Sequence, residues 1–196
     1  MGKNNITLIV VVAVLAITVF WGISAYNGLV SKQESVDGQW ANVENQYQRR
    51  ADLIPNLVAT VKGYASHESE TLEGVIAARA KATQITVDPA NLTPEKLQEY
   101  QAAQGQLSSA LGKLLMITEN YPDLKANQNF LELQAQLEGT ENRITTERGR
   151  FNEMAKTYNA SIRKFPTNIV AGFGSFDKKP YFEAEAGSEK APEVKF

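Results

Sequence analysis

Residues 6–26 read ITLIVVVAVLAITVFWGISAY, a run of 21 residues without a charge. As a helix this run is about 31 Å long, enough for a hydrocarbon core of roughly 30 Å. A cleaved leader is the competing reading. The run exceeds the usual apolar region of a leader, about 7 to 15 residues, and ISAYNGLV offers no clean small-x-small cleavage site, so a membrane anchor is preferred. Lys3 precedes the run, whereas the next 20 residues after Tyr26 hold only Lys32, against Glu34, Asp37 and Glu44. The positive-inside rule therefore tilts toward a short cytoplasmic N-terminus and a following domain outside the cytoplasm.

The 43% hydrophobic content must be shared between this run and a soluble core. A net charge of −2 argues against a nucleic-acid binder, and the lack of cysteine removes disulfides, thiolate metal ligands and a cysteine nucleophile. Beyond the anchor, apolar residues recur at alternating spacings of three and four. The stripe passes Tyr26, Leu29, Gln33, Val36, Trp40, Val43, Tyr47, Arg50, Ile54, Leu57, Val61, Tyr64, Glu68, Thr71 and Val75, with Arg79 just off register. That is the seam of a bundle or coiled coil. Pro55 would end or kink a helix taken alone, but the stripe keeps its phase across it, which predicts a kinked, continuing helix; a break over Ala51 to Ile54 is the alternative. Gly28 and Gly38 mark the juxtamembrane part as the place for a bend.

Pro89, Asn91 and Pro94 mark a connection, and Thr93-Pro94-Glu95 has the form of an N-cap, a first-position proline and an acid in the first turn. A second helix with Leu97, Tyr100, Gln104, Leu107, Leu111, Leu114 and Leu115 follows, ending near Pro122. Asn127 is positioned to cap a third. There Phe130, Leu137, Ile144, Phe151, Tyr158 and Phe165 fall seven apart, with Gln134, Glu141, Arg148, Ala155 and Ile162 between them. From Asn129 to Phe165 this helix would extend about 55 Å before Pro166 closes it. The expected fold is all-α: a transmembrane helix followed by an antiparallel bundle of three to four long helices. The expected division is 1–5 short N-terminal tail, 6–26 span, 27–165 bundle and 166–196 tail. Ile169, Val170, Phe173, Phe176, Tyr181, Phe182, Val194 and Phe196 make that tail too aromatic for plain disorder, so part of it should dock.

The chain resembles the LemA family through the N-terminal span, YNGLV, WANVENQYQRRADLIPNLVATVKGYASHE, AARAKA, ENYPDLKAN, FNEMAKTYNASIRKFP and the closing YFEAE and PEVKF. The resemblance implies a single-pass bacterial membrane protein with a soluble antiparallel helical domain, and it implies no reaction.

Charges on the seams are the first candidates for function: Arg50, Glu68, Arg79, Glu141 and Arg148. Buried carboxylates and guanidiniums serve in acid–base sites, but an interhelical ion-pair network that fixes register is the preferred reading. His67, the only histidine, has Glu70 one turn on, and Glu68 beside it. A di-metal bundle site needs more histidines in the opposite order, so no metal and no cofactor is expected. A second face, Asp52, Asn56, Gly63, His67, Glu70 and Gly74, is small or polar throughout and is either solvent surface or an interaction face for a helical neighbour. Gly172 to Ser175, GFGS, reads as a turn. The leading function is a membrane-anchored scaffold or adaptor of the envelope that contacts the bilayer through residues 6–26 and membrane or envelope proteins, or itself, through the bundle. An accessory role in envelope proteolysis or stress response, with the aromatic tail as docking element, comes second and an enzyme third.

Overall fold

The computed structural model describes residues 3–184, all helix, turn or extended coil. Val194, Phe196 and the rest of the tail beyond residue 184 lie outside the described residues. Helix α1 spans Lys3–Tyr64, α2 Ser69–Gln84, α3 Pro94–Thr118, α4 Pro122–Lys125, α5 Gln128–Arg163 and α6 Thr167–Phe173. The element α1 is a single helix of 62 residues that begins within the segment 1–5 and passes Gly28, Gly38 and Pro55 without a break. Side chains of its first third stand exposed, for example Leu8 at 66%, Ile17 at 69% and Phe20 at 77%. An exposed apolar helix of that length is what a bilayer requires, and among the described residues α1 is the one helix long and apolar enough to cross a membrane.

Past Tyr26 the same helix continues for about 57 Å as the central element of the bundle. The helices α1 and α3 run away from the span, α2 and α5 return toward it, and α1 packs against α2, α5 and α6 while α2 packs on α3. Local signals set the ends. Thr93 Oγ1 accepts from Lys96 N at 3.3 Å to start α3, and Asn127 Oδ1 accepts from Phe130 N at 3.0 Å to start α5. The fourth bundle helix arises from a turn at Ala65–Glu68 and not from a split at Pro55. The stripe concealed this turn, because Val75 re-enters the core at the spacing an unbroken helix would give, although Ala65 and Leu72 are buried in place of the stripe's Tyr64 and Thr71.

The core divides in two. Distal to the span lie Ile54, Leu57, Val61, Leu72, Val75, Leu107, Leu111, Leu114, Phe130 and Leu137. Nearer the span lie Val36, Trp40, Val43, Tyr47, Leu97, Tyr100, Ile144, Phe151, Tyr158 and Phe182. The heptads of α5 thus point inward as far as Tyr158, but Phe165 falls beyond the helix and is 81% exposed. The segment 166–184 is no free tail: α6 packs on α1 and α5, and the extended strap after it reaches the nearer core.

Candidate functional site

Between the two core clusters lies a thin polar layer. Arg50 follows Tyr47 on α1, Gln104 follows Tyr100 on α3, and Glu141 precedes Ile144 on α5. Arg50 is 1% exposed. Its Nη1 donates to Ser108 Oγ at 2.7 Å and Glu141 Oε1 at 2.8 Å, and its Nη2 donates to Gln104 Oε1 at 2.5 Å and Gln104 O at 3.2 Å. The guanidinium also lies 5.1 Å from the Tyr47 ring centre. Gln104 Nε2 donates in turn to Ala82 O of α2 at 3.3 Å, so all four bundle helices meet in this layer. A charge with that many fixed acceptors tolerates one axial register, because sliding α5 by a turn would strand it in hydrocarbon.

The other seam charges do not join this pair. Glu68 sits at the turn, where its Oε1 accepts from Tyr121 Oη at 2.8 Å instead of meeting an arginine, because the break before α2 carries it off the seam. Arg148 donates through Nη2 to Glu183 O at 3.0 Å and lies 4.9 Å from the Phe182 ring centre; it holds the strap, not another helix's carboxylate.

Arg79 answers the question that Pro55 raises. A proline inside a helix has no N–H for the carbonyl four residues back, here Ala51 O. Arg79 Nε donates to that oxygen at 2.7 Å, from α2, and so supplies the missing bond. Arg79→Ala is expected to cost about 1 to 3 kcal/mol, the penalty of a buried unsatisfied carbonyl. In a Pro55→Ala background the helix supplies its own N–H, and the cost should fall clearly below that. A double-mutant cycle by urea unfolding reads the coupling; equal costs in both backgrounds would disprove the link.

The six residues Asp52, Asn56, Gly63, His67, Glu70 and Gly74 are all exposed, but they do not form one face. The first three lie on α1, His67 lies in the turn, and the last two lie on α2. A Cβ added at Gly63 or Gly74 would meet nothing within 4 Å, so neither glycine serves a close approach within the chain. Among the described residues no three His, Cys, Asp or Glu side chains gather as a metal-binding group.

The strap is held by side-chain amides that read its backbone. Asn159 Oδ1 accepts from Lys179 N at 2.9 Å and its Nδ2 donates to Lys179 O at 2.8 Å. Asn152, one heptad earlier, makes the same pair with Phe182, at 2.8 and 2.9 Å. The Lys179 side chain is buried as well, donating to Asp37 Oδ1 at 2.8 Å and Pro89 O at 2.5 Å. Sequence reasoning missed these residues, although two asparagines seven apart beside the Phe151–Tyr158 seam were a readable signal. Gly174 is needed where the strap begins: a Cβ there would lie 2.5 Å from the Phe176 ring and 3.1 Å from Tyr26.

Comparison with known proteins adds the family. The family model described as LemA family matches residues 39–196. The chain belongs to the LemA family. It is 26% identical to "Magnetosome protein MamQ 2" of Paramagnetospirillum magneticum, over 96% of this chain and 76% of that one. It is 27% identical to "Magnetosome protein MamQ" of Magnetospirillum gryphiswaldense, over 95% and 76% respectively. "Protein LemA" of Metamycoplasma hominis is 28% identical, over 74% of this chain and 63% of its own length.

In this LemA-family chain, burial has a titratable consequence. Desolvation raises the phenols of Tyr47 and Tyr100 and pushes Tyr158 up to about 12. An unfolded tyrosine loses its proton near about pH 10, whereas these keep theirs to higher pH. The folded state then binds more protons than the unfolded one, so stability is lost as pH rises from about 10 to about 12. The urea midpoint should fall across that window, and Tyr158→Phe should flatten the fall. An unchanged slope would mean that Tyr158 is not the group responsible.

Proposed function

We propose that the protein is a membrane-anchored helical scaffold or adaptor of the bacterial envelope, which holds partner proteins, or copies of itself, at a set distance from the bilayer. The observation that supports this most is the continuity of α1: one helix is both the span and the central element of the bundle. A flexible linker would let the bundle wander, whereas an uninterrupted helix transmits position and rotation from the membrane to the distal turn. The buried polar groups favour the same reading, since their bonds are directed at one another across helices. Two of the relatives carry the name of a magnetosome, which is compatible with a structural part in a membrane setting. The aromatic strap is less suited to serve as a free docking element, because Phe176 and Phe182 turn inward.

The expected orientation puts the bundle outside the cytoplasm. The chain has no cysteine, so Ser66→Cys at the distal turn gives a single reporter. A membrane-impermeant maleimide should label it in spheroplasts; labelling only after lysis would reverse the orientation. For the scaffold itself, in-cell crosslinking of the tagged full-length chain should return a reproducible set of membrane proteins or an oligomer. Gly28→Pro, which breaks α1 just past the span, should diminish that set. A wild-type chain that crosslinks to nothing would end this reading.

A further inference from the structure

The heptad pattern of α5 leaves over Phe165, and the structure leaves over two more large apolar groups close by. Phe165 is 81% exposed, Ile169 50% and Phe173 91%. These three are spaced by four residues and flank or lie on α6. Apolar side chains exposed singly need no account, but three together on one short element do.

Their position in the fold supplies one. Immediately after Phe173, Gly174 abuts Tyr26, and the Phe176 ring packs edge-on against Tyr26 with centroids 5.3 Å apart. Tyr26 is the last residue of the uncharged run, so α6 sits at the level where the span leaves the bilayer. The burial of α1 agrees: Gly22 and Ala25 are partly covered and Leu29 fully, on one face, while the run before them is open. Because α6 is about 10 Å long, Ile169 and Phe173 on it lie within about that distance of the Gly174 contact, and Phe165 stands two residues before the helix begins. Arg163 and Lys164 immediately precede Phe165, and both are exposed.

We infer that α6 and its flanks form a second membrane contact, in which Phe165, Ile169 and Phe173 enter the interfacial zone of the bilayer and Arg163 and Lys164 engage anionic lipid headgroups. Aromatic groups are at home at that depth, and cations beside them are drawn to a negative leaflet surface. One span alone leaves a helix free to tilt and rotate; a lateral foot beside it sets both. The contact is continuous with the span, and it rests on reading residues 6–26 as membrane-embedded.

The test uses the full-length chain, free of cysteine, reconstituted in phosphatidylcholine vesicles with and without phosphatidylglycerol. A polarity-sensitive dye is placed at Phe173→Cys, at Val12→Cys within the span, or at Ser66→Cys at the distal turn. With a shallow lipid-borne quencher the dye at position 173 should lose most of its emission, as position 12 should with a deep quencher, while position 66 keeps its own. Arg163→Glu with Lys164→Glu should reduce the quenching at position 173, most in the anionic vesicles. If position 12 is quenched and position 173 behaves like position 66, the span stands and the foot is wrong. Shielding of position 173 from both lipid quencher and aqueous iodide would overturn the proposal in favour of a protein contact. Failure at position 12 would overturn it at its premise.

Discussion

Phe182→Ala should release the strap and cost about 3 to 5 kcal/mol, the range for removing a buried aromatic ring. Phe182 is 6% exposed and lies parallel to Trp40, at 5.7 Å between centroids and 9° between planes. It also meets Phe151 edge-on at 5.4 Å, and the Arg148 guanidinium lies over its ring at 4.9 Å from the centroid. Its loss therefore opens Trp40, at 0% exposure the largest side chain of the nearer core, directly to water. The amide pairs from Asn152 and Asn159 fix only the backbone of the strap, and each such bond contributes about 1 kcal/mol. Ring burial outweighs them, so the strap should not stay docked. In a Trp21→Phe background Trp40 is the single indole, and its emission should shift to the red as the urea midpoint falls. A native emission maximum with stability lowered by under about 1 kcal/mol would mean that the strap does not close this core.

Glu141→Ala is expected to cost about 2 to 3 kcal/mol. Removing one partner of a fully closed ion pair costs about 3 to 5, and an exposed pair contributes under about 1. Here the arginine is 1% exposed and the carboxylate 39%, which places the pair between those limits. Arg50 also keeps its bonds to Ser108 and Gln104, so its charge is not wholly stranded. Replacing both members together, Arg50→Met with Glu141→Met, should recover much of the stability, because no uncompensated charge remains. The readout is urea unfolding with Trp40 emission as probe. A Glu141→Ala chain within about 0.5 kcal/mol of the parent would show that solvent already screens the pair.

Both effects concern contacts between residues far apart in sequence, and that distance separates what was legible from what was not. Thr93 and Asn127 could be read as caps because a cap is settled within four residues, and both cap in the structure. The α5 heptads were legible for a similar reason. The turn at Ala65–Glu68 was not, since Val75 of the 3–4 stripe returns in phase after it; Lys62, Gly63 and Ser66 were the faint marks of a helix end. That turn also separated Glu68 from the seam and divided a supposed single polar face between two helices.

By itself the sequence determined the helical class, the uncharged run that reads as a span and the presence of charges on apolar seams, and it favoured a continuing α1 at Pro55 over a break that only the structure excluded. All of these follow from composition and periodicity, which act over a few turns at most. Only the tertiary structure decided what those charges meet. Arg50 finds Glu141 and Gln104, Arg79 finds the carbonyl that Pro55 leaves free, and Arg148 finds the strap. Each pairing depends on the relative register of helices set by packing, a quantity that no local spacing encodes. The same holds for α6: its apolar residues are visible in the sequence, but only the contact of Phe176 with Tyr26 places them beside the end of the span.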